Sequence, residues 1–182
     1  MRIIAGQWRG RPLVAPAGDA TRPTADRTRE TLFSMLTSRL GSFDELTVGD
    51  FFAGSGALGF EALSRGAASC MFVERDRDAV TALKNNAAKL GLERPDIRQA
   101  DVLALGRTPK PLDIIFMDPP YGTGAGAVAL DKLARMGWIG PSTWVSIETG
   151  RTEEIAVKGF EADAERVVGK AKLHILRPIP AE

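Results

Sequence analysis

The sequence predicts an α/β protein in which a mostly parallel sheet is covered by helices. Three observations predict it. From Thr47 onward, short apolar runs alternate with helical stretches; carboxylates gather where the runs stop; and the final runs break the alternation as a hairpin.

The elements follow in order. "RIIAGQWRGRPLVAP" reads as two short strands, Arg2 to Ala5 and Pro12 to Ala15, about a turn containing Gly6 and Gly10. After "APAGDATRPT" a helix is expected from Thr24 as N-cap, with Asp26 in its first turn, Leu32, Leu36 and Leu40 on one face, and Gly41 as its stop. The βαβα stretch is "TVGDFFA", "ALGFEALSRG", "SCMFVE" and "RDAVTALKNNAAKLG". It continues through "DIRQAD", "LDIIFMD", a helix around Ala127 to Met136, and "TWVSIET". "ERVVGKAKLHILRP" is two β-rich runs about a Gly169-Lys170 turn, an antiparallel hairpin at the sheet edge that Pro178 ends.

Composition narrows the class. The 182 residues, 44% hydrophobic and 26% charged, suit one globular domain with a substantial core, and no run approaches a membrane span. The first residues have no sustained apolar segment, so a cytoplasmic protein is expected. The single Cys70 excludes an internal disulfide framework and a zinc cluster. Net charge is +1, but residues 1 to 40 hold seven Arg against Asp19, Asp26 and Glu30, giving +4 and leaving −3 for residues 41 to 182. Two readings of this basic segment stand side by side: an arm solvated by its own charges, and a surface for nucleic-acid phosphates.

Ligands of open α/β sheets sit at the carboxyl ends of the strands. There the first run ends at Asp50 and "DFFAGSGALGFEAL", whose Gly54, Gly56 and Gly59 have dinucleotide-fingerprint spacing. Any nucleoside cofactor lying against such a turn needs the same close backbone approach, so glycines alone do not select NAD. Glu74, 20 residues after Gly54, is placed to accept both hydroxyls of an unphosphorylated ribose, or to serve as a plain strand-end acid. The third run ends at Asp101 and the fourth at "DPPY", Asp118 to Tyr121. Hydride transfer has no use for DPPY. Two prolines remove two N–H donors, and the Asp118 carboxyl and Pro119 carbonyl form a rigid set of acceptors suited to an exocyclic amino group, with the Tyr121 face available for a base to stack on.

"DFFAGSGALG", "FVERD", "QADVLAL" and "DPPY" together resemble, in order, the motifs of class I S-adenosylmethionine-dependent methyltransferases that methylate amines. "RIIAGQWRG", "TRPTADRTRETLFSML" and "FFAGSGALGFEALSRGA" are similar to the RsmD family, which methylates a guanine N2 of 16S ribosomal RNA. The resemblance implies a Rossmann-like fold with a seven-stranded sheet, a 1–40 hairpin and helix extension contacting RNA, and a 41–182 domain binding S-adenosylmethionine. It implies that Asp50, Phe52, Gly54 and Gly56 surround the methionine moiety, that Glu74 holds the ribose, and that Asp101 receives the adenine amino group. Asp118, Pro119, Pro120 and Tyr121 would meet the target base. Thr24 matches the family's "RPT" as a cofactor contact or a plain helix cap; Arg22 beside it, with Arg9, Arg11 and Arg27, would face RNA. A monomer without a metal, acting on 16S ribosomal RNA or a small-subunit assembly particle, is the expected form.

DPPY serves adenine N6 equally, so a DNA or RNA adenine methyltransferase is the alternative enzyme, although DNA sequence reading normally needs a further recognition region. A non-catalytic RNA-binding assembly factor is the alternative from another class. His174, in a predicted edge strand and without a Ser, Cys or acidic partner in a recognisable motif, is expected to be structural. Cys70, Trp138 and Trp144 are expected in the core, and Trp8 against the hairpin.

Overall fold

The computed structural model describes residues 1–16 and 23–180. Its elements are α1 (Pro23–Leu40), β1 (Thr47–Phe51), α2 (Ala57–Ser64), β2 (Ser69–Glu74), α3 (Arg77–Lys89), β3 (Asp96–Gln99), a single 3₁₀ turn (Val102–Ala104), β4 (Ile114–Met117), α4 (Ala125–Arg135), β5 (Trp144–Gly150), β6 (Phe160–Val168) and β7 (Ala171–Pro178). The seven strands form one sheet in the order β3-β2-β1-β4-β5-β7-β6, with β5–β7 and β6–β7 antiparallel and the other pairs parallel. The order reverses beside β1, between β1 and β4, which is where an open sheet leaves a crevice.

Strand alternation assigns the core to two faces. Ile114 and Phe116 of β4 point toward α1, α2 and α3, joining Phe33, Leu36, Phe60 and Leu83; Ile115 and Met117 point toward α4, joining Leu130, Leu133 and Trp138. All of these except Trp138, itself buried, are wholly or almost wholly enclosed. Gly59 lets α2 lie close on the sheet, because a Cβ there would stand 2.3 Å from the Phe72 ring and 2.7 Å from the Cys70 sulfur.

Three expectations need correction. The N-terminal hairpin pairs through a single antiparallel bridge, Arg2 with Pro12, rather than as two strands. The Ile3, Gly10 and Leu13 amides bond across the hairpin, but the next donors are taken elsewhere: the Ile4 and Ala5 amides go to the Glu61 carboxylate (2.9 and 3.1 Å), and the Gln7 and Trp8 amides to the Ser64 carbonyl and hydroxyl (2.8 and 3.0 Å). The helix begins at Pro23, so Thr24 falls inside its first turn rather than at a cap; its side chain, like Arg22, lies outside the described residues. His174 is not on an edge strand, since β7 inserts beside β5 and leaves β6 at the edge.

Glu61 is the point at which the N-terminal segment joins the body. Wholly buried, it also meets Arg29 (3.5 Å) and Arg65 (2.9 Å). Arg29 further binds Asp26 and the Arg2 carbonyl, and Arg39 pairs with Asp163 of β6. Arg29 and Arg39 are therefore engaged in holding the fold.

Candidate active site

The carboxyl ends of β1, β2, β4 and β5 meet at one rim. Just past β1 the chain turns through Phe52 (φ 60°), Gly54 (φ 57°) and Gly56 (φ 86°), all left-handed, and enters α2. A Cβ on Gly54 would meet nothing within 4 Å, whereas one on Gly56 would strike Leu83 at 2.3 Å. The two glycines therefore differ in purpose: Gly56 permits packing, and Gly54 keeps backbone bare toward open space.

Asp50 is buried beneath this turn, and its carboxyl accepts the Gly59 amide of α2 at 2.9 Å. Burial pushes the Asp50 carboxyl up to about 8, against the Gly59 hydrogen bond and with the Glu74 charge adding to the rise. Glu74, at the end of β2, accepts the Gly54 amide on one oxygen and the Asp76 amide on the other, both at 2.8 Å. Each oxygen retains a lone pair for a further donor. Asp101 is exposed, caps the 3₁₀ turn through the Leu103 amide (2.9 Å), and stands 3.8 Å from Arg75.

Asp118 follows β4. The residue is exposed, yet desolvation at its carboxyl, then the neighbouring Glu148, then the Asp50 charge hold it well above the usual carboxylate range. Pro119 is buried, Pro120 is exposed, and Tyr121 is 46% exposed, leaving a ring face free. The Tyr121 hydroxyl donates to Glu148 at 2.5 Å; burial first, and then Glu148, drives its ionisation up, so it stays a neutral donor. Beyond it, Glu153 accepts the Gly122 amide (2.6 Å) and the Gly150 amide (3.0 Å), tying the segment after DPPY to the end of β5.

Asp50, Phe52, Gly54, Gly56, Glu74, Asp118, Pro119, Pro120 and Tyr121 are thus brought to one edge, with Asp101 just past β3. Arg27 is exposed on α1. Arg9 and Arg11, also exposed, are elsewhere: they follow the contacts with Ser64, and Arg11 donates to the Lys89 carbonyl at 2.5 Å, at the far ends of α2 and α3. Two open grooves, of about 430 Å³ beside Glu30, Thr37 and Arg65 and about 270 Å³ at the amino ends of β1 and β2, contain none of the strand-end residues. Glu148 and Glu153 were not anticipated from sequence, although Glu148 obeys the same rule as the others, an acid near a strand's carboxyl end.

A rim of acids about a bare glycine turn fits a nucleoside cofactor with a cationic end and hydroxyl donors, as S-adenosylmethionine is. The fold is Rossmann-like, of the class I methyltransferase type. The family model described as "Conserved hypothetical protein 95" matches residues 1–177, and the chain belongs to that family, the RsmD family. Ribosomal RNA small subunit methyltransferase D of Escherichia coli (strain K12) is 39% identical over 150 residues, 82% of this chain and 74% of the relative. The Haemophilus influenzae protein of the same name is 36% identical over 160 residues, 85% and 81% of the two chains. Among solved structures, Escherichia coli yhhF superposes with a TM-score of 0.82 at 33% identity, covering 98% of this chain and 97% of that one.

Proposed function

We propose that this chain transfers a methyl group from S-adenosylmethionine to the exocyclic N2 amine of a guanine in 16S ribosomal RNA, by in-line displacement on a flipped-out base. The observation that carries the reading is the Asp118-Pro119-Pro120-Tyr121 turn seated beside the Gly54 turn, amine acceptors next to a nucleoside cradle. Relatives named for small-subunit ribosomal RNA methylation support the substrate.

When bound, the cofactor supplies a sulfonium methyl that is already electrophilic. The chain's task is positioning. Asp50, Phe52, Gly54 and Gly56 surround the methionine end, Glu74 accepts the ribose hydroxyls, Asp101 takes the adenine amino group, and Thr24 is a further cofactor contact. Asp118 and the Pro119 carbonyl accept the two hydrogens of the guanine amine, turning its lone pair out of the ring plane, while Tyr121 replaces the stacking that the base gives up. Arg9, Arg11, Arg22 and Arg27 neutralise phosphates of the RNA.

The test is methyl transfer to unmethylated 16S RNA and to small-subunit particles, with the product read by nucleoside mass spectrometry. N2-methylguanosine is expected; N6-methyladenosine alone, or activity only on duplex DNA, overturns the reading.

A further inference from the structure

Tyr121 is held in three places. Its hydroxyl donates to Glu148 Oε2 at 2.5 Å, its ring lies close to Gly150, where a Cβ would stand 3.7 Å from Cδ2, and the next amide, that of Gly122, is taken by Glu153 at 2.6 Å. A ring held in this way also orients the acid it binds. Glu148 is half-buried, and a carboxylate oxygen carries two lone pairs, so one tyrosine hydrogen leaves it with acceptor capacity to spare.

No basic neighbour uses that capacity. Across β7 the partner of Glu148 is Leu173; Lys172 and His174 alternate to the opposite face, where they meet Glu154, Glu165 and Thr149. On its other side Glu148 follows Ile147, which pairs with Met117, so it comes level with the first residue past β4, Asp118. An oriented acceptor therefore stands next to the turn to which the target amine is assigned.

Resting on the guanine reading, we propose that Glu148 is the residue that selects guanine: its carboxylate accepts the ring N1–H while Asp118 and the Pro119 carbonyl hold the amine beside it. On the Watson–Crick edge of guanine, N1–H and the N2 amine are adjacent donors, and a flipped base is read along that edge. Adenine sets its amine beside a bare N1 lone pair. That lone pair would face a carboxylate with no hydrogen between them, and the Tyr121 hydrogen is already given to Glu148. DPPY serves either amine; Glu148 tells them apart.

A synthetic RNA with the sequence around the methylated guanine, carrying guanine or 2-aminopurine at that position, tests the proposal. 2-Aminopurine keeps the amine but has a bare N1. The wild-type chain should favour guanine in kcat/KM by about 100-fold or more. In Glu148→Gln, whose amide can turn a hydrogen toward that N1, the preference should shrink by about tenfold or more, with S-adenosylmethionine affinity changed less than about threefold. 2-Aminopurine also lacks the guanine O6, and a preference arising there would be the same in both proteins, so an unchanged preference in Glu148→Gln overturns the proposal. Near-equal kcat/KM of the wild-type chain on the two RNAs overturns it as well, and that measurement needs no variant to fold. A wild-type chain that methylates no guanine of 16S RNA refutes the reading beneath, and the selectivity falls with it, before either synthetic RNA is made.

Discussion

Glu74 Oε1 accepts the Gly54 amide hydrogen at 2.8 Å, so the acid at the end of β2 and the bare turn after β1 form one unit. Glu74→Ala should weaken S-adenosylmethionine binding roughly 10- to 100-fold, through loss of charge-assisted bonds to ribose and of this brace. Calorimetry checks it. Glu74→Gln, keeping one acceptor, should fall between the two, and an unchanged affinity in the alanine variant removes Glu74 from the site.

Asp118→Ala should act on turnover instead. Its contacts to the amine strengthen only as charge develops, so methyl transfer should drop about 100-fold or more while cofactor affinity hardly changes. A variant whose main defect is cofactor loss would contradict the role given to DPPY.

Asp50, raised from 3.8 to about 8, links binding to protons. Between those values the folded chain holds a proton that the unfolded chain lacks, so this group's contribution falls as pH rises through the window and is most unfavourable above pH 8. A cation seated beside Asp50 favours the ionised form. Binding of S-adenosylmethionine near pH 7 should therefore release protons, measured as a dependence of the calorimetric enthalpy on buffer ionisation. The ligand's own amino group titrates nearby, so Asp50→Asn is the control: equal proton release in both proteins defeats the linkage.

Glu61 is wholly buried among two arginines and two amides. Glu61→Ala removes one of the two carboxylates beside buried Arg29 and leaves the Ile4 and Ala5 amides without their acceptor, together a loss on the order of 3–5 kcal/mol. At roughly 2–4 °C per kcal/mol for a chain of this size, thermal unfolding should shift down by about 10 °C. A shift below about 2 °C would show that Glu61 does not hold the N-terminal segment.

Arg9 and Arg11 lie away from the strand-end rim, so their contribution should be to RNA affinity and not to cofactor binding. Changing both to Ala should lower the log-log salt slope of RNA binding by roughly one to two, with cofactor binding intact. The same affinity and slope as the parent would leave these residues as solvated charges.

The parallel part of the sheet was readable because its signals are local: "SCMFVE" is β2 residue for residue, and the four acids sit where apolar runs stop. What escaped depends on partners distant in sequence. The hairpin strands failed because Ile4 and Ala5 spend their amides on Glu61, more than 50 positions away, and a lone Glu inside an apolar helix gives no sign of that. The edge position of His174 failed because local pattern does not say which strand of a hairpin is inserted against β5. Glu148 was legible by the strand-end rule and went unread only because β5 carries no glycine or proline motif to draw attention to its end.

The contact of α1 with β6 sets an order of assembly. Phe33 stacks against Phe116 at 5.4 Å and shares a cluster with Leu173 and Ile175, while Arg39 reaches Asp163, 124 positions further on. As the chain leaves the ribosome, its first helix emerges long before the surface that will cover it has been made. That helix must wait, apolar face open, until the last hairpin is complete, so the first element synthesised is among the last to be secured.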